Sequence, residues 1–422
     1  MLQYSIKIRF LIKWQCLLVC FLMVCNILKA QTDSSVETHK ENIQRQDKFD
    51  SDTADQRDVI DVLVKIFKPR HFKRAKLKPG EVSFFILPGA YYSKQTGWAA
   101  TLNGTMAFLA SDYKYQNLST LFATGSYTQK NQKTFSLYSN IWTPDNSMAF
   151  PGVAWYYDYS ETTYGLGSHT KSDKADLLYY KYLRVYESIL KQIYPDVYIG
   201  AGYRLDYHYD MIETGTKDGS ESDFRNYNRA AKTVSSGISA DFVFDDRRNQ
   251  INPRRGTFIN IVYSPKFTSL GSDQNWQSLK IDLRKYFKLS PNSNNVLAFW
   301  SLSQLTLNGT PPYLDMPGTG WDEWQRSGRG YVQGRYRGRS MLYLESEYRF
   351  KITHNGVLGG VIFANAESFS ELETNRFDRI LPAGGGGVRI KLNKFTRTNL
   401  SIDYGVGVNG SSGVFLNLGE IF

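Results

Sequence analysis

The strongest constraint in this sequence is an alternation of apolar and polar residues with a period of two, which recurs from residue 82 to residue 422. Residues 197–209 show it most clearly, because seven apolar or aromatic side chains share one parity. The other parity holds small, polar or charged residues, namely Gly200, Gly202, Arg204, Asp206 and His208. Successive side chains of a strand point to opposite faces, so the pattern predicts a strand with one apolar and one charged face.

A charged face argues against the interior of a soluble β-sandwich but suits a wide barrel, whose outer surface meets lipid and whose lumen is wet. Residues 342–352 repeat the pattern, with Glu345, Glu347, Arg349 and Lys351 on the charged parity. The mean hydropathy is −0.41, and no apolar run after residue 30 approaches the roughly 18 residues of a membrane-spanning helix. We therefore exclude a helical membrane protein and predict an all-β fold.

Counting the alternating segments predicts a 16-stranded antiparallel transmembrane β-barrel over residues 82–422. Each strand and its connection then take about 21 residues, which suits strands of about 10 residues. The sixteen predicted strands lie near 82–93, 97–110, 117–128, 132–142, 147–160, 174–193, 197–210, 233–246, 256–266, 274–288, 294–306, 340–351, 356–367, 384–393, 396–408 and 412–422.

The predicted connections alternate in length, which supports the strand count. If the first strand starts at the periplasm, the long connections all fall on one side of the membrane; they are 161–173, 211–232, 307–339 and 368–382. The opposite side receives tight turns such as 111–116, 194–196 and 394–395. Long loops on one side and short turns on the other are typical of outer-membrane barrels.

Residues 1–30 have the features of a cleaved signal peptide. Three basic residues precede an apolar stretch, Ala30 is a plausible cleavage point, and all three cysteines of the chain, Cys16, Cys20 and Cys25, lie in this segment. Its loss would remove four of the 51 basic residues and none of the 40 acidic ones, leaving 47 minus 40, or +7. This modest excess favours anionic lipid headgroups over nucleic acid as a partner, so we expect an exported protein of the outer membrane of a diderm bacterium.

The segment 31–81 is predicted to be a disordered leader that ends in a short periplasmic amphipathic helix. Apolar residues recur at helical spacing from Val59 to Phe67, Pro69 stops the pattern, and six basic residues follow within 68–78. Two interpretations stay open. The helix is either a plug or partner-docking element with a basic, lipid-facing neck, or a tether that lies against the mouth of the barrel.

The turn between the eighth and ninth predicted strands carries the first family signature. By composition alone, Asp245, Arg247, Pro253 and Gly256 indicate an ordered turn. An Asp-x-Arg start followed by Pro-x-x-Gly before a strand also resembles the signature turn of the BamA and TamA outer-membrane insertase superfamily, the bacterial surface antigen family. The segment Tyr164-Gly165-Leu166-Gly167 is similar to that family's Tyr-Gly-Ile-Gly sequence.

The longest predicted loop, 307–339, contains Gly328-Arg329-Gly330-Tyr331. This sequence resembles the family's Arg-Gly-Tyr/Phe motif, which sits in the sixth surface loop. The resemblance implies that the loop folds back into the lumen and that Arg329 is held by acidic side chains of the barrel wall, because a guanidinium in a partly dehydrated lumen needs a carboxylate. Considered without the family, a basic, glycine-rich loop more often binds lipopolysaccharide phosphates at the surface.

The family's partner acid for this arginine lies on the thirteenth strand, where the present chain has Asn365. An amide cannot form an ion pair, so Glu367, two residues further along the same face, is one candidate partner. Glu345, Glu347 and Asp403 also face inward by parity and are the alternatives.

The ends of the predicted barrel form its seam. Pro88 and Gly89 fall inside the first predicted strand, and proline cannot donate a ladder hydrogen bond; the resemblance implies a weakly paired seam with the last strand. Alternatively, the strand begins only after Gly89. Phe422 is expected to point outward as the terminal aromatic residue that the assembly machinery reads, whereas Glu420 breaks the alternation and is expected near the periplasmic rim.

No enzymatic signature accompanies these motifs. The five histidines are scattered without metal-ligand spacing, and we expect neither catalysis, cofactor nor metal. The 51 residues from position 31 to position 81 are too few for a polypeptide-transport-associated (POTRA) domain, so the resemblance implies a short member without one.

The expected function is to assist insertion or transport of proteins or lipids at the outer membrane. Expected partners are outer-membrane lipids, lipopolysaccharide, client outer-membrane proteins and a periplasmic or membrane partner subunit. The alternative is a structural or surface-exposed barrel that acts as an interaction subunit or pore.

Overall fold

The computed structural model describes residues 56–67, 82–93, 96–110, 117–216, 218–228, 230–247, 249–290, 294–394 and 396–422. The predicted signal peptide, most of the leader and the basic run at 68–78 lie outside these ranges. None of the helices in the described ranges is long and apolar enough to cross a membrane.

One antiparallel sheet contains sixteen strands in chain order, which confirms the predicted 16-stranded barrel. The strands are β1 Val82–Ser93, β2 Gly97–Phe108, β3 Ser119–Thr128, β4 Lys133–Trp142, β5 Met148–Thr163, β6 Asp176–Tyr194, β7 Val197–Thr216, β8 Thr233–Asp245, β9 Gly256–Lys266, β10 Trp276–Lys288, β11 Val296–Gly309, β12 Met341–Lys351, β13 Leu358–Phe369, β14 Leu381–Asn393, β15 Thr398–Gly407 and β16 Ser412–Leu418. Two short α-helices lie within the described ranges, α1 Val59–Phe67 and α2 Asp223–Asn228.

The burial of side chains is the reverse of that in a soluble protein. Apolar side chains of the outward parity are exposed, as for Trp98 (63%) and Tyr203 (42%). Charged side chains of the inward parity are buried, as for Arg204 (9%) and Asp206 (2%). An apolar exterior around a charged interior is the arrangement that a lipid bilayer stabilises.

The connections differ in length between the two ends of the barrel. At one end, called the loop end here, they include 164–175, 217–232, 370–380 and the longest, 310–340, called loop six. The other end, called the turn end, carries short turns such as 195–196 and 394–397. The predicted asymmetry is therefore present, although the turn-end connection 246–255 is longer than a tight turn.

The two edge strands depart from the prediction of a closed ladder. β1 pairs with β2 along its full length, and Pro88 lies opposite Leu102, so the alternative in which the strand begins after Gly89 is wrong. β16 pairs with β15 only as far as Leu418, four residues short of the predicted end. Within the described ranges, no ladder joins β1 to β16. The physical reason lies at Gly419, whose φ of 95° turns the chain out of the sheet.

The lumen is filled mainly by loop six. Its aromatic residues pack against two opposite walls: Tyr313 joins a cluster with Trp155 and Tyr182 of β5 and β6, and Tyr331 joins a cluster with Trp300 of β11. A cavity of about 120 Å³ remains beside the first cluster. The core of this barrel is therefore a loop packed against the inner wall.

Candidate functional site

Loop six carries the predicted arginine motif deep into the lumen. Gly328 and Gly330 adopt φ values of 76° and 110°, in the left-handed half of backbone space that residues with a Cβ rarely occupy. A Cβ placed on Gly330 would lie 2.8 Å from the Cβ of Ala383 in β14. The two glycines thus let the backbone approach the wall, and the Arg329 side chain between them is only 1% exposed.

Three carboxylates on the barrel wall surround the Arg329 guanidinium. Nη2 contacts Glu345 and Glu347 of β12, and Nη1 donates to Asp403 of β15 at 2.6 Å. The guanidinium carbon also lies 3.7 Å from the centre of the Phe363 ring. Charge-assisted hydrogen bonds of this kind are short and directional, so the wall fixes both the position and the orientation of Arg329.

Further arginines balance the excess of carboxylates around this motif. Arg349 donates from Nε to Glu347 at 2.6 Å. Arg389 donates to Asp403 at 2.5 Å and to Glu420 at 2.7 Å. The result is an extended buried ion network, in which a lost partner would leave an uncompensated charge.

The predicted partner acids occupy different positions in this network. Glu345, Glu347 and Asp403 touch the Arg329 guanidinium, whereas the Asn365 amide donates to the main-chain carbonyl oxygen of Arg329 at 2.8 Å. Glu367 accepts a hydrogen bond from Thr319 at 2.8 Å instead. Of the candidate partners, the alternatives Glu345, Glu347 and Asp403 therefore hold Arg329 and Glu367 does not, because two residues along a strand move a carboxylate by nearly 7 Å.

Tyr331 completes the contacts of the motif. Its hydroxyl donates to the carbonyl oxygen of Pro382 at 2.6 Å, and its ring packs edge-on against Tyr336 at 5.5 Å. Gly407 of β15 gives the ring room, because a Cβ at that position would lie within 2.6 Å of the Tyr331 ring carbon Cζ. Residues 328–331 are thus attached to β13, β14 and β15 as one unit.

A second ion pair attaches loop six to the opposite wall, and the sequence did not identify it. Arg337, 1% exposed, donates from Nη2 to both carboxylate oxygens of Glu161 in β5 at 2.9 and 3.2 Å. Trp321 and Tyr180 also donate to Glu161, at 2.6 and 3.0 Å. Four donated hydrogen bonds therefore converge on one buried carboxylate.

The interpretation of loop six as a basic surface loop for lipopolysaccharide is contradicted by these positions. Arg329, Arg335 and Arg337 are all buried. Arg335 donates to the side-chain and main-chain oxygens of Thr170 at 3.0 Å. Each of these three buried guanidinium groups donates to oxygen atoms within the barrel, so these arginines are not presented at the surface.

The connection 164–175 covers the loop end above loop six. The main-chain N–H of Gly167 donates to the carbonyl oxygen of Arg337 at 2.7 Å, and Ser168 forms hydrogen bonds in both directions with the main chain of Phe369. Its N–H also donates to Glu371 at 2.9 Å; burial raises the pKa of the Glu371 carboxyl. The family-like segment at 164–167 therefore helps to close this mouth.

The segment after β16 enters the lumen, where the sequence predicted an outward strand end. The Phe422 ring packs near Trp300 and Tyr286, at 5.4 and 6.2 Å between ring centres, and its carbonyl oxygen accepts from Arg349 at 2.8 Å. Arg326 of loop six donates to the carbonyl oxygens of residues 420 and 421 at 3.1 and 3.2 Å. The outward position expected for Phe422 is wrong, since the turn at 419 reverses its side.

Glu420 does not lie at the rim of the barrel, where the sequence predicted it. It is 3% exposed, its carboxylate accepts from Arg389 at 2.7 Å and from Asn399 at 2.6 Å, and Arg349 lies 3.8 Å away. The break in alternation at this position thus places a charge where inward-facing arginines require one.

The turn 246–255 reaches across the turn end of the barrel. Its predicted residues form a compact base, in which Arg247 donates to both oxygens of Asp245 at 2.7 and 2.8 Å, Pro253 is buried, and Gly256 has a φ of 111°. From this base, Asn249 reaches the carbonyl oxygen of Thr396 in the 394–397 turn at 3.2 Å. The turn also contacts residues 419–422, the segment after β16 that enters the lumen and is called the inward segment here, because Asn252 donates to Glu420 at 3.4 Å.

The described histidines lie apart from one another, and His208 is the one inside the lumenal cluster. His208 stacks on Tyr182 with ring centres 4.0 Å apart, and its Nδ1 lies 3.2 Å from Asp315 of loop six. In the described ranges, no group of three or more His, Cys, Asp and Glu side chains is placed to hold a metal ion. The chemistry of this lumen is that of ion pairing and packing.

Comparison with known proteins establishes the fold. No protein-family model matches the sequence, and a comparison with curated proteins finds no match. Among solved structures, BamA from Haemophilus ducreyi lacking POTRA domains 1–3 superposes with a TM-score of 0.51 and 15% identity, over 80% of this chain and 69% of that one. CdiB from Escherichia coli gives 0.53 and 9%, over 80% and 62%. CdiB from Acinetobacter baumannii gives 0.50 and 11%, over 80% and 58%. The expected resemblance is confirmed at the level of the fold, and the chain spans about two thirds or less of these relatives.

Proposed function

We propose that this chain is a short member of the BamA and TamA superfamily that assists insertion or transport of proteins or lipids at the outer membrane of a diderm bacterium. The observation that carries the proposal is the combination of a lumen filled by an anchored loop six with two edge strands that no ladder joins in the described ranges. The proposal assigns the chain no enzymatic activity, cofactor or metal.

The edge strands support the proposal because, in the described part of the chain, no strand pairs with the outer edge of β1 or of β16. An unpaired edge is a template on which another strand can add. Pro88 has no N–H to donate, so it leaves a gap in the donor row of β1, and β16 has only seven residues. A seam of this kind favours lateral opening over permanent closure, and a client strand would pair there.

The filled lumen supports the same assignment over a passive pore. Loop six contacts both walls through Arg329 and Arg337, and the turn 246–255 crosses the other end. A wide aqueous channel is therefore disfavoured. Outer-membrane lipids and lipopolysaccharide at the barrel surface, client proteins at the seam and a separate partner subunit are the partners that we propose.

The decisive experiment locks the seam with a disulfide. A panel of cysteine pairs on β1 and β16 is compared with a control pair at Tyr404 and Val414, which already lie opposite each other in β15 and β16. We expect the seam disulfide to lower the amounts of other outer-membrane proteins, and a reductant to restore them. Normal amounts under a fully formed seam disulfide would contradict the proposal.

A second candidate function is an interaction barrel that inserts nothing. The observation in its favour is the raised wall at β5, β6 and β7, with 16, 19 and 20 residues. This wall carries the connection 164–175 and helix α2 beyond the rest of the barrel. Depletion of the protein distinguishes the two functions. Unchanged levels of other barrels, together with loss of one copurifying surface partner, would favour this candidate.

A further inference from the structure

Helix α1 is attached to the turn end of the barrel by its first residues. The Asp58 carboxylate accepts the main-chain N–H of Lys394 at 2.9 Å, and the N–H of Arg57 donates to the carbonyl oxygen of Asn355 at 2.9 Å. Asp58 and Asp61 each accept the other's main-chain N–H, at 2.9 and 3.1 Å. This reciprocal cap resembles a capping box and fixes where the helix begins relative to the 352–357 and 394–397 turns.

The helix presents its polar stripe to the barrel. Asp61 and Lys65 are one turn apart and therefore share a face, and the Asp61 carboxylate pairs with Lys394 at 3.0 Å. At 100° per residue, the remaining positions of α1 form an apolar arc of about 200°. Asp61 is directed at the rim, and the centre of the apolar arc lies on the opposite side of the helix axis.

The described apolar side chains of α1 are incompletely covered, most of all at the end of the helix. Val59, Ile60, Val62 and Val64 are only partly buried, and Ile66 is 64% exposed. The exposed side chain of Ile66, together with the uncovered parts of these four residues, favours an apolar environment beside the helix. The lumen does not provide one, since its inner wall is charged at this end.

The rim around α1 is basic. Lys391 interacts electrostatically with Arg254, Lys351 and Arg397, and Lys394 lies beside the helix. The exposed side chains of Ile362 in β13 and Val388 in β14, with Ile352 directly after β12, mark the adjacent lipid-facing wall. The sequence that follows α1 adds six basic residues between positions 68 and 78.

We propose that α1 is an interfacial membrane anchor, whose apolar arc inserts at the boundary between headgroups and acyl chains while the basic rim binds anionic lipid headgroups. An amphipathic helix with basic neighbours binds such a surface by apolar burial and by electrostatic attraction. The inference requires a barrel in a membrane and does not depend on insertase activity. A plug across the mouth would turn the apolar arc towards charged side chains, and so it is disfavoured.

The test measures, in the full chain, how deeply two adjacent positions of α1 lie in the membrane. An environment-sensitive fluorophore is attached at Ile66→Cys or, as the matched control on the polar stripe, at Lys65→Cys, with Cys16, Cys20 and Cys25 replaced by serine. The barrels are reconstituted in phosphatidylcholine vesicles containing phosphatidylglycerol, with or without brominated acyl chains. We expect bromine to quench the label at 66 at least threefold more than the label at 65.

Each other outcome contradicts the proposal in a recognisable way. If bromine quenches the labels at 65 and 66 equally and weakly, and aqueous iodide quenches both readily, the helix lies in water. Protection from both quenchers at position 66 would show a plug or a protein-covered site. A third label at Ile199→Cys, on the lipid-facing wall, confirms that the barrel is folded and that the bromine assay reports lipid contact.

Lipid charge tests the second half of the proposal. We expect replacement of phosphatidylglycerol by phosphatidylcholine, or addition of 0.5 M salt (roughly a 4 Å Debye length), to reduce the quenching at 66 by about half. Lys351→Gln, which removes one exposed cation of the rim, is expected to weaken this dependence. Quenching that is indifferent to lipid charge and salt would overturn the role of the anionic headgroups.

Discussion

Replacement of Glu161 by glutamine is expected to detach loop six from the β5 wall. The Glu161 carboxylate accepts four hydrogen bonds, two of them from the buried guanidinium of Arg337. Glutamine has one acceptor oxygen, and its NH₂ group would face the remaining donors. Because removal of one partner leaves the other charge buried and unpaired, we expect a loss of about 3–5 kcal/mol, which is more than a hundredfold in the docking equilibrium.

The assay is a double-mutant cycle on the barrel in lipid vesicles. The free energy of unfolding in urea is measured for Glu161→Gln, Arg337→Met and the double variant, together with the rate at which a protease cleaves loop six. A direct ion pair predicts that the double variant loses less than the sum of the single losses. As the matched control, Asp210→Asn breaks the pair with Lys181 at 2.8 Å, whose side chains are 61% and 36% exposed, and should cost at most about 1 kcal/mol.

Two results would refute this reasoning. One is a loss for Glu161→Gln no greater than that for Asp210→Asn, which would mean that the lumenal pair is effectively solvated. The other is strict additivity in the cycle, which would mean that the two side chains act independently.

Three further predictions concern the other attachments in the lumen. Arg329→Ala should raise the single-channel conductance of the reconstituted barrel, because the loop loses its hold on three carboxylates; an unchanged conductance would count against the plugged lumen. Gly330→Ala should lower the unfolding free energy by about 1–3 kcal/mol, measured by thermal unfolding, because its φ of 110° disfavours a side chain. Phe422→Ala should weaken docking of the inward segment by about 3–5 kcal/mol and expose it to carboxypeptidase, whereas equal digestion of both forms would contradict the buried ring.

Much of the fold could be predicted from local alternation. The predicted ranges 82–93 and 256–266 agree with β1 and β9 at both ends, because an extended chain imposes a period of two wherever its faces meet different media. β7 continues to Thr216, six residues beyond its predicted end. The alternation changes phase in this stretch, where Asp210 has a φ of 53° and the register between β6 and β7 shifts. Beyond it, Met211 packs against the lumenal cluster and Ile212 is 64% exposed, which is the reverse of the parity before it.

Only part of the candidate site could be predicted from local alternation. Parity correctly indicated that Glu345, Glu347 and Asp403 face inward, but it could not decide which acids meet Arg329, since that depends on how deep loop six descends. Glu161 and Arg337 are 176 residues apart in the chain, so no local sequence pattern could predict their ion pair.

One local feature of the sequence does indicate that the segment after β16 turns into the lumen. Glu420 is out of phase with the strand before it, and the structure pairs it with Arg389 inside the barrel. A charge that breaks an otherwise regular alternation therefore marked the place where the strand ends and the chain changes side.

Loop six divides the barrel into two mechanical parts. Its ion pairs join β5 on one wall to β12 and β15 on the other, so the separation of these walls is constant while both sets of pairs persist. The arc from β5 to β15 then behaves as a stiff body. The ion pairs named above do not reach the five remaining strands, β16 and β1 to β4, none of which exceeds 12 residues. Loop six contacts this sector through uncharged partners, because Trp324 stacks on Tyr138 of β4 and Arg326 donates to Asn417 of β16, so we expect this sector to be the more compliant part. Amide hydrogen exchange should therefore be fastest in this short-stranded sector.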